Sequence, residues 1–135
     1  MNQVALTGRL TKDIDLRYTK GGTAIANFTL AVDRELSHEK RVEAEAKGTP
    51  TTDFIRVRVW GKAGESAANY LHKGDQCAVT GRIETGQYQD ETGKTTYTTN
   101  VVAFRVEYLQ MKSKGRDEEM EYLSDTEMAE DEFPF

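Results

Sequence analysis

Apolar and polar residues alternate along several short stretches of the chain, a pattern typical of half-buried β-strands. The first predicted strand covers residues 2–10, and the chain continues extended over 14–19 to a turn at 20–22. Its apolar face carries Val4, Leu6 and Leu10. The inward face of a second strand, over residues 24–33, carries small and apolar side chains: Ala24, Ala26, Phe28, Leu30 and Val32. Further strands are predicted over residues 53–61 and 76–84.

The last predicted strand is long and begins in a hairpin. Extended stretches at 85–89 and 94–99 flank Asp90-Glu91-Thr92-Gly93, which is a typical turn sequence. The second arm continues as a fifth strand to about Gln110. Its alternation predicts a core face made of Val102, Phe104, Val106 and Tyr108.

Two segments between the strands lack this alternation. Residues 62–73 are predicted to form a short helix, because Ala63, Ala67 and Leu71 fall on one stripe. Residues 34–50 are charged and have no apolar period, so they are expected to form a long, mobile loop.

Five strands with one helix between the third and fourth is the element order of an OB-fold, a small five-stranded Greek-key barrel. The predicted class is therefore all-β with one short helix, and a small β-sandwich is the competing architecture. Residues 1–112 are assigned to this domain. Residues 113–135 have few apolar positions and are expected to be a disordered acidic tail.

The third strand carries the most informative side chains. One face holds the β-branched residues Ile55, Val57 and Val59, which belong in a core. The opposite face carries two arginines between two aromatics: Phe54, Arg56, Arg58 and Trp60. Aromatic rings stack on the bases of single-stranded nucleic acid regardless of sequence, and arginine reaches phosphates. Trp, Phe and Arg also mark protein-binding hot spots, so a protein interface stays open as the alternative.

Other residues are candidates for the same surface. Tyr88 and Tyr97 lie in the hairpin, at the position of the OB-fold loop that clasps a ligand. Lys62 and Lys73 flank the helix, and Arg34 begins the long loop. The roles of Arg17 and Tyr18 stay open between the core edge and the ligand face, whereas Glu107 and Asp75 are expected at the surface.

Charge divides the chain into two parts. The net charge is -5. All 18 basic residues lie in 1–116 with 14 acidic ones, which gives +4, whereas residues 117–135 hold nine acidic residues and no basic one. A basic body with an acidic tail is a pattern linked to nucleic-acid handling, although a domain with a solubilising tail has the same charge pattern.

Composition excludes several classes of protein. No apolar run approaches the ~18 residues of a membrane span, and the first residues lack the pattern of a secretory signal. Cys77 is the only cysteine, so an intrachain disulfide is impossible, and with His38 and His72 it forms no zinc motif. No phosphate-cradling loop or nucleophile–base motif is present. We therefore expect a cytoplasmic, non-enzymatic protein with no cofactor or metal.

The acidic tail ends in an aromatic tip, whose five residues are Asp131, Glu132, Phe133, Pro134 and Phe135. Two aromatic residues at an acidic terminus suit docking into an apolar pocket with a basic rim. The alternative is a terminus without function.

Taken in order, these segments resemble the bacterial and phage single-stranded DNA-binding protein family. The resemblance is carried by the opening run 2–10, by Ala26-Asn27-Phe28-Thr29-Leu30-Ala31, by Phe54-Ile55-Arg56-Val57, by Trp60-Gly61-Lys62 and by the acidic Pro-Phe terminus. It covers nearly the whole chain. One departure is Leu36, where many members of the family carry an aromatic residue.

The resemblance implies an OB-fold that assembles as a homotetramer, wraps single-stranded DNA and recruits replication, repair and recombination proteins through residues 131–135. Phe54, Trp60 and Tyr88 match the family's base-stacking aromatics, and Arg56, Lys62 and Lys73 match its basic DNA-contacting positions. A primosome-type OB-fold adaptor that works mainly through protein contacts is the alternative function. An RNA-binding OB-fold is a third hypothesis.

Overall fold

Six β-strands and two helices make up the part of the chain that the computed structural model describes, residues 1–111. The strands are β1 (Val4–Leu10), β2 (Asp15–Tyr18), β3 (Ala24–Asp33), β4 (Thr52–Trp60), β5 (Gln76–Gln89) and β6 (Thr95–Gln110). The helices are α1 (His38–Lys47), between β3 and β4, and α2 (Gly61–Tyr70), between β4 and β5.

Five of the strands close into a barrel. They follow the order β1-β5-β6-β4-β3, and β1 returns to β3 through the pairs Arg9↔Ala31 and Leu10↔Leu30. All neighbours are antiparallel except β4 and β6, which run parallel at Val57↔Val101 to Val59↔Ala103. β2 is a short sixth strand that pairs with β3 outside this ring. The barrel is the predicted five-stranded OB-fold, with residues 14–19 contributing the extra strand.

The core consists of the side chains that point into the barrel from the strands. Leu30, Val57 and Val59 are almost fully buried. Leu71, the residue that follows α2, is also buried and belongs to the same core. Gly8 allows β1 to close on β3, because a Cβ there would come within 2.4 Å of the Ala31 carbonyl oxygen. The inward faces of residues 24–33 and 53–61 match the sequence prediction.

The prediction of a mobile loop over residues 34–50 was wrong, because α1 occupies most of this segment. Ser37 caps its N-terminus by accepting a hydrogen bond from the Lys40 amide, and Gly48 ends it with φ 74°. Lys47 pairs with Glu43 one turn earlier at 2.6 Å. No residue of α1 is buried, so this helix depends on caps and charge pairs rather than on an apolar stripe.

The core face predicted for the last strand was wrong at Val102 and Phe104, since Val101 and Ala103 are the buried residues in this part of β6. A β-bulge lies between the pairs Thr80↔Arg105 and Gly81↔Ala103, and Phe104 is the extra residue. The bulge shifts the alternation, so Ala103 and Val106 are buried while Phe104 is exposed.

Two smaller expectations also need correction. The fold has two helices rather than one, and the second ends at Tyr70 instead of residue 73. Asp75 was expected at the surface but is fully buried, where its carboxylate accepts a hydrogen bond from the His72 amide at 2.8 Å. Neither helix in residues 1–111 has the length and apolar character needed to cross a membrane.

Candidate nucleic-acid interface

The outer face of β4 presents the two aromatics and two arginines to solvent. Phe54 is 69% exposed and Trp60 is 44% exposed, whereas Val57 on the inner face is 2% exposed. The strand is held between β3 and β6, so its two faces are fixed by pairing on both sides. Because successive side chains on a strand point to opposite faces, the core residues fix the direction of the others.

A groove of about 590 Å³ runs along this face. Phe54, Arg56 and Arg58 line it from β4, and Asn27 and Thr29 line it from β3. The Arg58 Nε donates a hydrogen bond to Asn27 Oδ1 at 3.2 Å, which holds the guanidinium along the sheet. The groove is therefore lined by an apolar ring and two cations, of which Arg58 is oriented by its hydrogen bond to Asn27.

The loop between β1 and β2 forms the opposite wall of this groove, through Thr11, Lys12 and Asp13. These residues and Asn27 were not among those predicted from the sequence to line the site. The OB-fold order was the available signal, since ligands of this fold bind between the second and third barrel strands and the loops beside them.

A second groove of about 570 Å³ opens where β4 and β6 diverge. Phe54 and Arg56 line it together with Tyr88 and Tyr97 of the β5–β6 hairpin. Tyr88 pairs with Thr96 and Tyr97 pairs with Gln87, so the two tyrosines lie on opposite faces of the hairpin. The structure thus brings both tyrosines to the groove that Phe54 lines, from opposite faces of the hairpin.

The remaining predicted cations take different positions around this face. Lys62 is exposed in the first turn of α2, two residues after Trp60. Lys73 is exposed in the turn before β5, and its amide donates a hydrogen bond to Asp13 of the first groove at 2.8 Å. Lys62 therefore lies just after the Trp60 end of β4, and Lys73 lies beside the loop that lines the first groove.

Arg34 is already engaged by a carboxylate. Its Nε and Nη2 both donate to Asp53, and the shortest of these contacts is 2.9 Å, from Nη2 to Oδ1. The hydrogen bonds to Asp53 raise the pKa of Arg34, and in return they hold the pKa of Asp53 below its ordinary value. The Arg34–Asp53 ion pair therefore links the residue that follows β3 to the start of β4, next to Phe54.

The described part of the chain offers no cluster of His, Cys, Asp and Glu that could hold a metal ion. Burial raises the pKa of the Cys77 thiol to about 12, so at neutral pH this group is a protonated part of the core. The predicted partner-binding tip, residues 131–135, lies outside the described residues.

Comparison with known proteins shows which protein family the chain resembles. Residues 1–109 match the sequence profile of the single-strand binding protein family. The chain belongs to this family. The match covers both helices and all strands except the last residue of β6, so the barrel is the family's OB-fold domain.

Individual relatives agree with this assignment. Single-stranded DNA-binding protein 2 of Listeria innocua is 47% identical over 113 residues, covering 84% of this chain and 67% of that protein. Single-stranded DNA-binding protein 3 of Clostridium acetobutylicum is 47% identical over 118 residues, covering 87% and 76%. The single-stranded DNA-binding protein of Bacillus cereus is 43% identical over 118 residues, covering 87% and 65%.

Proposed function

We propose that this member of the single-strand binding protein family is a non-enzymatic protein that binds single-stranded DNA without sequence preference and protects it. The observation that carries the proposal is the outer face of β4, where Arg56 and Arg58 lie between the exposed rings of Phe54 and Trp60. Rings with free faces stack on any base, and the arginines between them neutralise phosphates.

The groove geometry supports single strands over duplex DNA. Phe54 stands at the junction of the two grooves, with Arg56 shared between them and Tyr88 on the far wall. A ring can stack on a base only if that base is unpaired and turned away from its neighbours. The face contributes stacking surfaces and cations, whereas duplex readout needs an element that enters a groove of the DNA.

We also propose that the chain acts as a homotetramer. β1 pairs with β5 from Val4 to Arg9, but it pairs with β3 only at Arg9 and Leu10. Along residues 4–8, the second edge of β1 therefore has no strand partner within residues 1–111. An unpaired edge is a template for pairing with another chain, which supports self-association. Analytical ultracentrifugation of the full chain measures the assembly, and a monomer at micromolar concentration contradicts it.

Recruitment of replication, repair and recombination proteins is assigned to Asp131, Glu132, Phe133, Pro134 and Phe135. The support is chemical, since an acidic terminus with two aromatic rings and a free carboxylate suits a basic-rimmed apolar pocket. Removing residues 117–135 tests this assignment. DNA binding is expected to persist or tighten because nine negative charges are lost, while partner binding disappears. Loss of DNA binding in this variant contradicts the assignment and favours an adaptor function.

Fluorescence of the single tryptophan tests the DNA-binding proposal, because Trp60 lies on the proposed face. A long oligo-dT is added to the full chain at low salt, with duplex DNA of equal length as the control and a ribo-oligomer as a second comparison. Strong quenching by oligo-dT and little by duplex is expected. The affinity should also fall with salt, with a slope of about -0.7 per phosphate neutralised. No quenching of the folded protein removes Trp60 from the site and favours the protein-adaptor function.

A further inference from the structure

Phe104 is an exposed aromatic residue that the strand pattern assigns to the core. It is 66% exposed, and it is the extra residue of the β-bulge opposite Thr80 and Gly81. A bulge commonly redirects a side chain next to a binding site. A single exposed ring is common on a protein surface, whereas adjacent exposed aromatics mark a binding surface, so the neighbours of Phe104 decide its meaning.

The strand register places Phe104 beside Trp60. The parallel ladder of β4 and β6 ends at the pair Val59↔Ala103, and the next residues of the two strands are Trp60 and Phe104. Both side chains are exposed, and both follow inward-facing core residues. The register therefore places the two exposed aromatics at adjacent positions, one residue beyond the last pair of the β4–β6 ladder.

The same row continues across β3 to β2. Trp60 pairs with Ile25, and Ile25 pairs with Arg17. The row consists of Arg17, Ile25, Trp60 and Phe104. It lies at the Trp60 end of β4, whereas Phe54 lies near the other end of the same face. It resolves the open assignment of Arg17 in favour of the outer face, where its Nε contacts Asp15 at 3.0 Å.

We infer that Phe104 stacks on a base of bound single-stranded DNA next to Trp60, so that the two rings form a second stacking platform separate from Phe54 and Tyr88. The inference rests on the proposed function and adds a contact residue to it. DNA is the favoured ligand of this platform, because Phe104 extends a face that already carries both aromatic rings and cations. Arg105 follows it, half exposed, in an ion pair with Glu107 at 2.7 Å.

Alanine substitution of the full chain tests this inference. Phe104→Ala is titrated with oligo-dT, with Trp60 fluorescence as the readout, and Phe104→Tyr and Phe104→Leu are measured in parallel. Leu109→Ala is the matched control, since Leu109 is also an exposed apolar residue at a bulge of β6. Thermal unfolding and sedimentation record fold and assembly for each variant. Phe104→Leu keeps the apolar volume, so it remains informative if the alanine variant folds poorly.

The expected result is a roughly 5- to 150-fold weaker affinity for Phe104→Ala, a smaller loss of the same kind for Phe104→Leu, and near wild-type affinity for Phe104→Tyr and Leu109→Ala. Unchanged affinity in both the alanine and leucine variants overturns the inference. A changed assembly state in these variants also overturns it, because Phe104 then belongs to a contact between copies. If the wild-type chain binds no oligo-dT, the proposed function itself fails, whereas failure at Phe104 alone leaves that function intact.

Discussion

The two faces of β4 should separate DNA affinity from stability when they are truncated one at a time. Phe54→Ala removes a ring that is 69% exposed, so its removal costs the folded state little apolar burial. The same ring is proposed to stack on a base, a contact that is worth about 1–3 kcal/mol. The variant is therefore expected to bind oligo-dT about 5- to 150-fold more weakly while unfolding at nearly the wild-type urea concentration.

Val57→Ala provides the opposite case on the same strand, three residues away. Val57 is 2% exposed and belongs to the core cluster with Leu30 and Val59. Losing two buried methyl groups costs about 1.5 kcal/mol of transfer free energy, and the cavity they leave raises the loss of stability to about 2–3 kcal/mol. Because the side chain faces away from the groove, the affinity of the folded fraction should change by less than about twofold.

Urea unfolding measures the stability of both variants, and oligo-dT titration measures their DNA affinity. Together the two measurements test whether the outer face of β4 serves binding and the inner face serves stability. Phe54→Ala is expected to lose DNA affinity and keep its stability, whereas Val57→Ala is expected to lose stability and keep its DNA affinity. If Phe54→Ala lowers stability as much as Val57→Ala does, the ring is buried in the working assembly. If neither variant changes affinity, β4 is not the DNA-binding strand.

Further predictions follow from the core and the start of β4. Cys77, with its raised pKa, should resist thiol reagents at pH 8 until the protein unfolds; rapid labelling of the native chain contradicts this. Gly8→Ala should lose about 1–3 kcal/mol of stability, because its Cβ meets the Ala31 carbonyl; an unchanged urea midpoint contradicts it. Arg34 lowers the pKa of Asp53, so this contribution to stability is present above the ordinary carboxyl pKa and lost as pH falls through the lowered one. Asp53→Asn should therefore lower the urea midpoint more at pH 7 than at pH 3, and an equal effect at both contradicts the pairing.

Strand alternation was sufficient to predict most of the barrel. The strands predicted over 24–33 and 53–61 are observed at Ala24–Asp33 and Thr52–Trp60, because inward and outward side chains alternate along both. The same signal failed at Phe104, since a single extra residue in the long last strand reverses the alternation and no turn residue marks the bulge. Bulges depend on the partner strand, and this information is not local to the sequence.

The helix α1 was missed for a different reason. Its residues show no apolar stripe because none of them is buried, so the usual helix signal is absent. Ser37 at the N-cap, Gly48 after the end and the Glu43–Lys47 pair were the available signals, and they are weaker than a hydrophobic pattern. For the proposed site, the outward direction of the β4 side chains was predictable from the alternation, whereas placing Asn27 and the β1–β2 loop beside them required the barrel, which brings distant segments together.

Ultraviolet cross-linking of the full chain to oligo-dT is the most direct test of the central claim that the outer face of β4 holds single-stranded DNA. Tryptic cleavage separates the key aromatics, since Phe54 falls in peptide 48–56, Trp60 in 59–62 and Tyr88 in 83–94. Mass spectrometry is expected to find nucleotide adducts on these peptides, and duplex DNA as competitor should not remove them. Adducts confined to other peptides, with 48–56 and 59–62 unmodified, would contradict the account.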